Sequence, residues 1–323
     1  MAVFTEVSFD AAARLIAGLG IGELTGLQPC AGGIENTNYF ADTSEGRFVL
    51  TLFERLTAAE LPFYLGLMKH LVDRGLPVPG PHADAGGALL LACAGKPAAV
   101  VDRLAGAPHL APDAADCASV GVVLARLHAA AADYPLLQPN LRGLAWWNDT
   151  VPAVVPHLSA SLAELMQDEL RWQQRLAATP AYAALPRGPV HGDLFRDNVM
   201  FDGAALTGVF DFYFAGVDSL LFDIAVALND WCSDLDTGRL AEDRAEALIA
   251  GYQSVRRLEA AELRLLPALL RAAAFRFWLS RSWDLHLPRD AVVLTAHDPG
   301  RFERVLRERR EAPWHAAQLQ VRP

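Results

Sequence analysis

The chain has 323 residues, 52% of them hydrophobic and 20% charged, which is the composition of a globular protein with a large buried core. Its net charge of −10 argues against nucleic acid as a partner, and no uninterrupted apolar run approaches the roughly 18 residues of a membrane span. The acidic start lacks the basic region of a signal peptide, and the four dispersed cysteines predict reduced thiols, so we expect a cytoplasmic protein.

The first third of the chain predicts helices combined with a mainly antiparallel sheet. Ser8 is a favourable N-cap for a helix over 8–19. A second helix is predicted over 57–74, because Thr57 and Glu60 have the spacing of a capping box. Strands that pair as two hairpins are predicted at 37–41, 47–53, 88–92 and 97–104.

Beyond residue 104 the sequence predicts mostly helices. A change of composition at Ala105-Gly106-Ala107-Pro108 indicates a hinge, and one hairpin, over 190–212, interrupts the helices. The predicted helices cover 113–132, 151–177, 181–185, 219–233, 241–255, 260–282 and 299–310. We therefore expect an α+β protein of two lobes, a small sheet-containing lobe at 1–104 and a larger, mainly helical lobe at 105–323.

The hairpin over 190–212 carries an acid, an amide and a second acid. Asn198 enters its first strand and Asp211 leaves its second, and an antiparallel pair places these two ends side by side. Amide and carboxylate oxygens are hard ligands that suit Mg²⁺. Asp193, on the preceding loop, is placed to accept a proton from an attacking hydroxyl, while His191 is expected to brace that loop by hydrogen bonds.

The pattern H-x-D-L-x-x-x-N at 191–198, followed by Asp211-Phe212, resembles the catalytic and metal-binding loops of the protein kinase-like fold. The form His191-Gly192-Asp193 is similar to that of the aminoglycoside phosphotransferase branch, whose members phosphorylate small molecules. Within that branch the chain resembles the homoserine kinases, and the resemblance covers nearly its whole length. The segments that carry it are 33–40, 48–54, and 211–214 with 228–232 downstream.

This resemblance implies a protein kinase-like, two-lobe α+β fold with a site between the lobes, and ATP and Mg²⁺ as cofactors. It implies that 1–104 binds the nucleotide and that 105–323 carries catalysis and the acceptor site. The implied reaction is phosphorylation of the side-chain hydroxyl of L-homoserine to O-phospho-L-homoserine, in threonine biosynthesis. The residues alone indicate only a small hydroxylated acceptor.

In the small lobe, a glycine-containing turn before the first hairpin is expected to cover the phosphates. Kinase-like folds usually carry Lys or Arg on the returning strand, where this chain has Thr51. The only lysines, Lys69 and Lys96, lie elsewhere, so the phosphate-contacting cation is unassigned, with Arg47 and Arg55 as candidates. The nucleotide-binding candidates are Gly32, Gly33, Ile34, Asn36, Thr51, Glu60 and Asp102.

Three acidic residues have two interpretations each. Glu60 is either the helix glutamate of kinase-like folds or only a capping residue. Asp102 lies just before the hinge, where the backbone would be placed to contact an adenine ring. The alternative is that its side chain is only a solvated charge. Asp223 lies within an apolar helix and needs a partner there. In similar proteins such an aspartate accepts hydrogen bonds from the backbone of the catalytic loop.

The acceptor site is predicted from the chemistry of an amino acid. Its carboxylate needs a cation and its ammonium needs an acceptor. These needs could be met by two arginines on an aromatic helix, by a polar residue near the site, and by the tyrosine that follows the predicted metal-binding aspartate. Each of these residues is also typical of a structural role. The candidates are Tyr213, Asn229, Arg276 and Arg281.

Three alternatives stay open at this point. The same fold acts on other acceptors, such as an aminoglycoside, an amino alcohol or a sugar. A metal-dependent hydrolase would use His191, Asp193 and Asp211, and would need further histidines. A catalytically inactive nucleotide-binding protein is favoured mildly by the missing strand lysine.

Overall fold

The computed structural model describes residues 5–30, 36–287 and 297–316, and these form two compact units. Of the described residues, the first unit takes those up to Gly106 together with Thr207–Phe210, and the second takes the remainder. The later segment belongs to the first unit because the Thr207 hydroxyl donates to the Ala105 carbonyl at 2.6 Å and the Val209 N–H donates to the Pro77 carbonyl at 2.8 Å. Within the described residues we find no helix with the length and apolarity that a membrane crossing requires.

The first unit is built on one antiparallel sheet. Its elements, among the described residues, are α1 (Phe9–Ala17), β1 (Leu24–Pro29), β2 (Asn36–Thr43), β3 (Arg47–Phe53), α2 (Leu61–Val72), β4 (Leu91–Cys93) and β5 (Lys96–Asp102). The five strands are ordered β1-β2-β3-β5-β4. Leu50 and Leu52 of β3 pack with Ile16 of α1 in a buried cluster that holds the helix on the sheet. Ser8 caps α1, its hydroxyl accepting from the Ala11 N–H.

The second helix of this unit begins later than predicted. Its first helical residue is Leu61, and residues 57–60 form a turn in which the Glu60 carboxylate accepts from both the N–H and the hydroxyl of Thr57, each at 2.8 Å. The side-chain contacts of the predicted capping box are therefore present outside the helix. Pro62 fixes the first turn of the helix here, a position that favours proline.

The second unit is mainly helical. Its described elements are α3 (Ala114–Ala130), α4 (Leu144–Val154), α5 (Ala160–Ala177), α6 (Pro180–Ala183), β6 (Arg187–Val190), β7 (Val199–Asp202), the first two residues of β8 (Ala205–Val209), β9 (Gly216–Ser219), α7 (Leu220–Trp231), α8 (Glu242–Gln253), α9 (Ala260–His286) and α10 (Gly300–Glu311). β7 and β8 form the predicted hairpin, and β6 pairs antiparallel with β9. The α+β class, with an antiparallel sheet in the N-terminal part and helices in the C-terminal part, is confirmed.

One sequence prediction in this unit was wrong, and one small sheet was not predicted. The helix predicted over 151–177 is two helices, because the backbone leaves the helical region at Leu158 and Ser159, just after Pro156. The sheet of β6 and β9 was not predicted, since both strands are four residues long and separated by the catalytic hairpin. This short sheet helps to position the predicted site, because β6 leads directly into residues 191–198.

Helices α3 and α8 cross at two glycines. A methyl group at Gly121 would overlap the Leu248 carbonyl oxygen, and one at Gly251 would overlap the Ala118 carbonyl oxygen. Only glycine permits this backbone approach. The crossing brings His128, near the end of α3, against Tyr252, near the end of α8.

Candidate active site

The catalytic loop, residues 191–198, begins with a backbone turn that requires glycine. Gly192 has a φ of +75°, and a methyl group there would lie 2.8 Å from the Phe214 carbonyl oxygen. The glycine between His191 and Asp193 thus follows from the local geometry. The His191 ring accepts the Asp193 N–H on Nδ1 at 3.2 Å and contacts Phe212, with ring centroids 4.6 Å apart.

Asp223 of α7 holds the start of this loop. Its Oδ2 accepts from the His191 N–H at 2.7 Å and its Oδ1 from the Gly192 N–H at 2.8 Å. The side chain is fully buried, so these charge-assisted hydrogen bonds act in a low-dielectric environment. The carboxylate therefore fixes the backbone from which Asp193 projects.

A buried hydrogen-bond chain lies behind Asp223. His128 Nε2 lies 3.0 Å from Asp223 Oδ2, and His128 Nδ1 lies 2.8 Å from the Tyr252 hydroxyl. Burial alone would raise the pKa of Asp223, but the hydrogen bond and charge of His128, the charge of His191 and the Gly192 N–H hold that pKa below its ordinary value. Asp223 is therefore an ionised anchor shared by the loop and two helices.

The hairpin brings the two predicted metal ligands to the catalytic loop. Asn198 Nδ2 donates to the Asp193 carbonyl at 2.8 Å, which fixes the orientation of the amide and leaves its oxygen as the group for a ligand. Asp211 has a left-handed backbone, with φ of +66° and ψ of +59°. Such a conformation is uncommon outside glycine and clusters at functional sites.

The charge of Asp193 is set by its surroundings. Its side chain is 16% exposed, and Oδ1 lies 4.0 Å from a guanidinium nitrogen of Arg276, which is itself buried. Burial raises the pKa of Asp193 well above its ordinary value, Arg276 opposes this, and Asp211 adds to the increase. A carboxylate with a raised pKa is a better proton acceptor, and the repulsion between two neighbouring carboxylates is relieved by a cation.

Next to the loop, Asp230 of α7 holds the Arg196 backbone and side chain. Asp230 Oδ2 accepts from the Arg196 N–H at 2.8 Å and from its Nε at 3.1 Å. The other carboxylate oxygen accepts from Arg301 of α10. Two arginines that are distant in sequence therefore share one buried carboxylate.

The four acceptor candidates lie in different environments. Tyr213 is half-buried in a short 3-10 turn, Phe212–Phe214. Asn229 is fully enclosed, its amide donating to the Leu270 carbonyl and accepting from Arg309, so it links α7, α9 and α10; its role in substrate binding stays a prediction. Arg276 faces Asp193, and Arg281 lies five residues further along α9.

The nucleotide candidates that the structure describes lie on the first unit. Thr51 is buried, and its hydroxyl donates to Asn38 Oδ1 at 2.7 Å. The Glu60 carboxylate accepts from Thr57, which is the local contact of a capping residue, and its role at the nucleotide stays a prediction. Asp102 Oδ1 lies 2.7 Å from His82 Nε2, within hydrogen-bond distance. Asn36 starts β2, while Gly32, Gly33 and Ile34 lie outside the described residues.

Neither lysine adds a cation to β3. Lys96 pairs with Glu54 at 3.1 Å, and Lys69 pairs with Asp73 one turn further along α2. Among the described residues, no group of three or more His, Cys, Asp or Glu side chains is arranged to hold a metal. The donor set that is present, one amide and one carboxylate, is that of a site completed by ligand oxygens.

Sequence reasoning missed part of this site. Neither His128 nor Tyr252 was predicted to lie at this site. Arg301 was missed because its partner, Asp230, is 71 residues away. One sequence feature could have pointed to this pair. A carboxylate within an apolar helix needs a partner, and this argument, made for Asp223, applies equally to Asp230.

Comparison with known proteins adds family information. The sequence profile of the phosphotransferase enzyme family matches residues 26–258. A homoserine kinase of Polaromonas naphthalenivorans is 61% identical over 97% of this chain and 99% of its own length. Homoserine kinases of Janthinobacterium sp. (strain Marseille) and Paraburkholderia xenovorans are each 51% identical over 96% of this chain, and over 97% and 96% of their own lengths.

Solved structures show the same fold at low identity. An amicoumacin kinase in complex with AMP-PNP and Ca²⁺ has a TM-score of 0.71 and 16% identity, covering 95% of this chain and 94% of its own. An aminoglycoside phosphotransferase described as putative, from Ralstonia eutropha, has a TM-score of 0.64 and 15% identity, covering 95% and 96%. At these identities the likeness shows the fold alone, and it confirms the predicted protein kinase-like fold.

Proposed function

Since the chain belongs to the phosphotransferase enzyme family, and within it to the homoserine kinases, we propose that it transfers the γ-phosphoryl group of ATP to the side-chain hydroxyl of L-homoserine. The products are O-phospho-L-homoserine and ADP, which places the reaction in threonine biosynthesis. The observation that carries the proposal is the loop anchored by Asp223, which presents Asp193 beside Asn198, in a chain 61% identical to a homoserine kinase.

In this proposal Asp193 orients the acceptor hydroxyl and accepts its proton as the phosphoryl group is transferred. Its raised pKa favours that step, and the neighbouring Arg276 keeps part of the negative charge compensated. Asp223 and His191 position Asp193 through the loop backbone and do not touch the reacting atoms.

Asn198 and Asp211 are proposed to hold Mg²⁺. The two residues fit this ion because both present hard oxygens and because the Asn198 amide is oriented by its bond to the Asp193 carbonyl. When bound, Mg²⁺ supplies positive charge that neutralises the phosphate oxygens. The repulsion between Asp211 and Asp193 is the electrostatic reason for a cation at this place.

The remaining nucleotide contacts stay a proposal. The glycine turn with Gly32, Gly33 and Ile34, together with Asn36 of β2, is proposed to cover the phosphates, with Thr51 and the Asp102 backbone nearer the base. A cation for the phosphates other than a β3 lysine is required. The enzyme is proposed to work in the cytoplasm, where its four cysteines, all free and buried, stay reduced.

The test is ADP release over an acceptor panel of L-homoserine, an aminoglycoside, an amino alcohol and a sugar. We expect turnover with L-homoserine, and a loss of about 10²- to 10⁴-fold in kcat for Asp193→Asn with unchanged folding. Asp202→Asn is the matched control, since Asp202 is an exposed carboxylate at the end of β7. Preference for another acceptor would contradict the assigned substrate, and wild-type rates in Asp193→Asn would contradict the assigned base.

A further inference from the structure

Two arginine side chains lie against the ring of Phe302 on α10. The guanidinium carbon of Arg281 lies 4.7 Å from the ring centroid and that of Arg301 lies 5.1 Å from it. Phe302 is fully buried and stacks on Phe277 of α9 and Phe195 of the catalytic loop, with centroids 5.1 and 5.7 Å apart. Both guanidinium groups are therefore fixed by aromatic packing to the loop that carries Asp193.

The hydrogen-bonding capacity of these two guanidinium groups is only partly used in the described part of the chain. Arg301 shares the Asp230 carboxylate with Arg196, and its Nε is buried with no hydrogen-bond partner among the described residues. Within the described ranges, Arg281 donates to a carbonyl, that of Asp298, at 3.3 Å. A buried donor without a partner in a native structure calls for an explanation, and a missing ligand is one.

The electrostatics agree with this geometry. Burial lowers the pKa of Arg281 to about 10, and the positive charge of Arg301 contributes to the decrease. Three carboxylates oppose it without restoring the ordinary value, and Asp193 is one of them. Arg281 thus stays charged at neutral pH and interacts electrostatically with the carboxylate of Asp193. A further anion next to Arg281 would stabilise its charged form.

Arg276 is the competing candidate for binding an anion, and its surroundings argue against it. Its side chain is 4% exposed, and its charge faces the carboxylate of Asp193. It also stacks on Phe277, with 3.7 Å between the guanidinium carbon and the ring centroid. A substrate carboxylate at Arg276 would lie against the carboxylate of Asp193, where repulsion disfavours it.

We propose that Arg281 and Arg301 form the subsite for the α-carboxylate of the acceptor, with the acceptor hydroxyl held at Asp193. This inference rests on the proposed function, because it assumes an amino acid that carries a hydroxyl at the other end of a short carbon chain. Guanidinium groups bind carboxylates with paired hydrogen bonds, which gives geometric selectivity as well as affinity. The subsite then distinguishes homoserine from amino alcohols that lack the carboxylate.

The experiment compares L-homoserine with 3-aminopropan-1-ol, which keeps the hydroxyl, the carbon chain and the amine but lacks the carboxylate. In Arg281→Met we expect KM for homoserine to rise about 10- to 100-fold, with kcat changed by less than about threefold. KM for 3-aminopropan-1-ol should stay the same. Arg281→Lys, which keeps the charge but not the paired hydrogen bonds, should show a smaller increase.

Arg307→Met is the matched control on α10, because Arg307 is half-exposed and its ion pair among the described residues is with Glu303, one turn away. Arg301→Lys should raise KM for homoserine selectively, while its remaining positive charge still pairs with Asp230. An unchanged homoserine KM in Arg281→Met, or an equal increase for both acceptors, would overturn the proposal. Absence of homoserine turnover in the wild-type enzyme would instead contradict the proposed function itself.

A second measurement needs no variant. L-2-aminobutyrate, which lacks the hydroxyl but keeps the carboxylate, should inhibit the wild-type enzyme competitively against homoserine. Propylamine, which lacks both groups, should inhibit at least about tenfold more weakly. Equal inhibition by the two compounds would show that the carboxylate is not recognised, whatever the folding of the arginine variants.

Discussion

Gly192 shows how one residue sets the geometry of the catalytic loop. It combines a positive φ with a close approach to the Phe214 carbonyl oxygen, so a side chain there meets both backbone strain and a steric clash. The loop cannot relieve the clash freely, because the N–H of Gly192 and that of its neighbour His191 are held by Asp223. A substitution must therefore move Asp193 or break the anchor.

We expect Gly192→Ala to lose at least about tenfold in kcat and about 1–3 kcal/mol in the free energy of unfolding. Gly203→Ala is the matched control, since Gly203 also has a positive φ, +55°, but nothing lies within 4 Å of the added methyl group. The measurements are steady-state kinetics and urea unfolding. Equal effects of the two substitutions would mean that backbone strain alone matters and that the Phe214 contact does not.

At the scale of elements, Asp223 connects α7 with the catalytic loop and, through His128, with α3 and α8. This network depends on the glycine crossing of α3 and α8, because it brings His128 and Tyr252 within hydrogen-bond distance. Arg256 donates to the Tyr252 hydroxyl at 3.4 Å and forms two bonds to the buried Glu262 of α9. Helix packing in the second unit and the position of the catalytic backbone are therefore coupled.

The lowered pKa of Asp223 gives this network a pH dependence. A carboxylate with a lower pKa in the folded than in the unfolded chain adds stability above the unfolded value of about 3.9. That stability is lost as pH falls through this value towards the folded pKa. We expect Asp223→Asn to be about 2–4 kcal/mol less stable than wild type at pH 7, and the difference to shrink between about pH 5 and 3.

Urea unfolding at a series of pH values measures this effect. Asp234→Asn is the control, because the pKa of Asp234 is also lowered, by Thr237 hydrogen bonds, but its side chain is exposed. Its effect should be much smaller. A difference between Asp223→Asn and wild type that stays constant with pH would mean that Asp223 stabilises the fold by packing and not by its charge.

The elements that the sequence predicted well are those whose signals are local. Ser8 caps α1 as expected, and the hairpin around the Asp-Gly turn after β7 lies where its turn chemistry puts it. The start of α2 was predicted too early because the same sequence pattern fits two local structures. The contacts between Thr57 and Glu60 can form in a turn as well as at the start of a helix. The pairing of β6 with β9 joins short segments that no local pattern connects.

The candidate site divides in the same way. Asp193, Asn198 and Asp211 could be predicted as candidates because the motif spacing and the hairpin fix them within one segment. The Asp230 and Arg301 pair, in contrast, forms only when α10 packs against α7 and α9, which sequence spacing does not reveal. The enclosed position of Asn229 follows from the same packing, which sequence spacing does not reveal either.

For the molecule as a whole, the negative net charge favours a cation at the site where a negatively charged nucleotide is proposed to bind. The chain carries 38 acidic and 28 basic side chains, giving −10, and its proposed ligand is a polyanion. A negatively charged protein repels free nucleotide over distances of about a Debye length, so the local cation matters more than in a basic protein. Asp211 and Asp193 concentrate this negative charge at the site.

The expected consequence is a nucleotide effect on stability that depends on Mg²⁺ and on Asp211. A non-hydrolysable ATP analogue at about 100 times its Kd should add about 2.7 kcal/mol to the free energy of unfolding when Mg²⁺ is present, and less without it. In Asp211→Asn the part that depends on Mg²⁺ should shrink, whereas Asp202→Asn should behave as wild type. Thermal unfolding with and without Mg²⁺ measures both parts. An unchanged Mg²⁺-dependent part in Asp211→Asn would remove Asp211 from the ligand set while leaving the role of Asp193 as base unaffected, because the two rest on different atoms of the site.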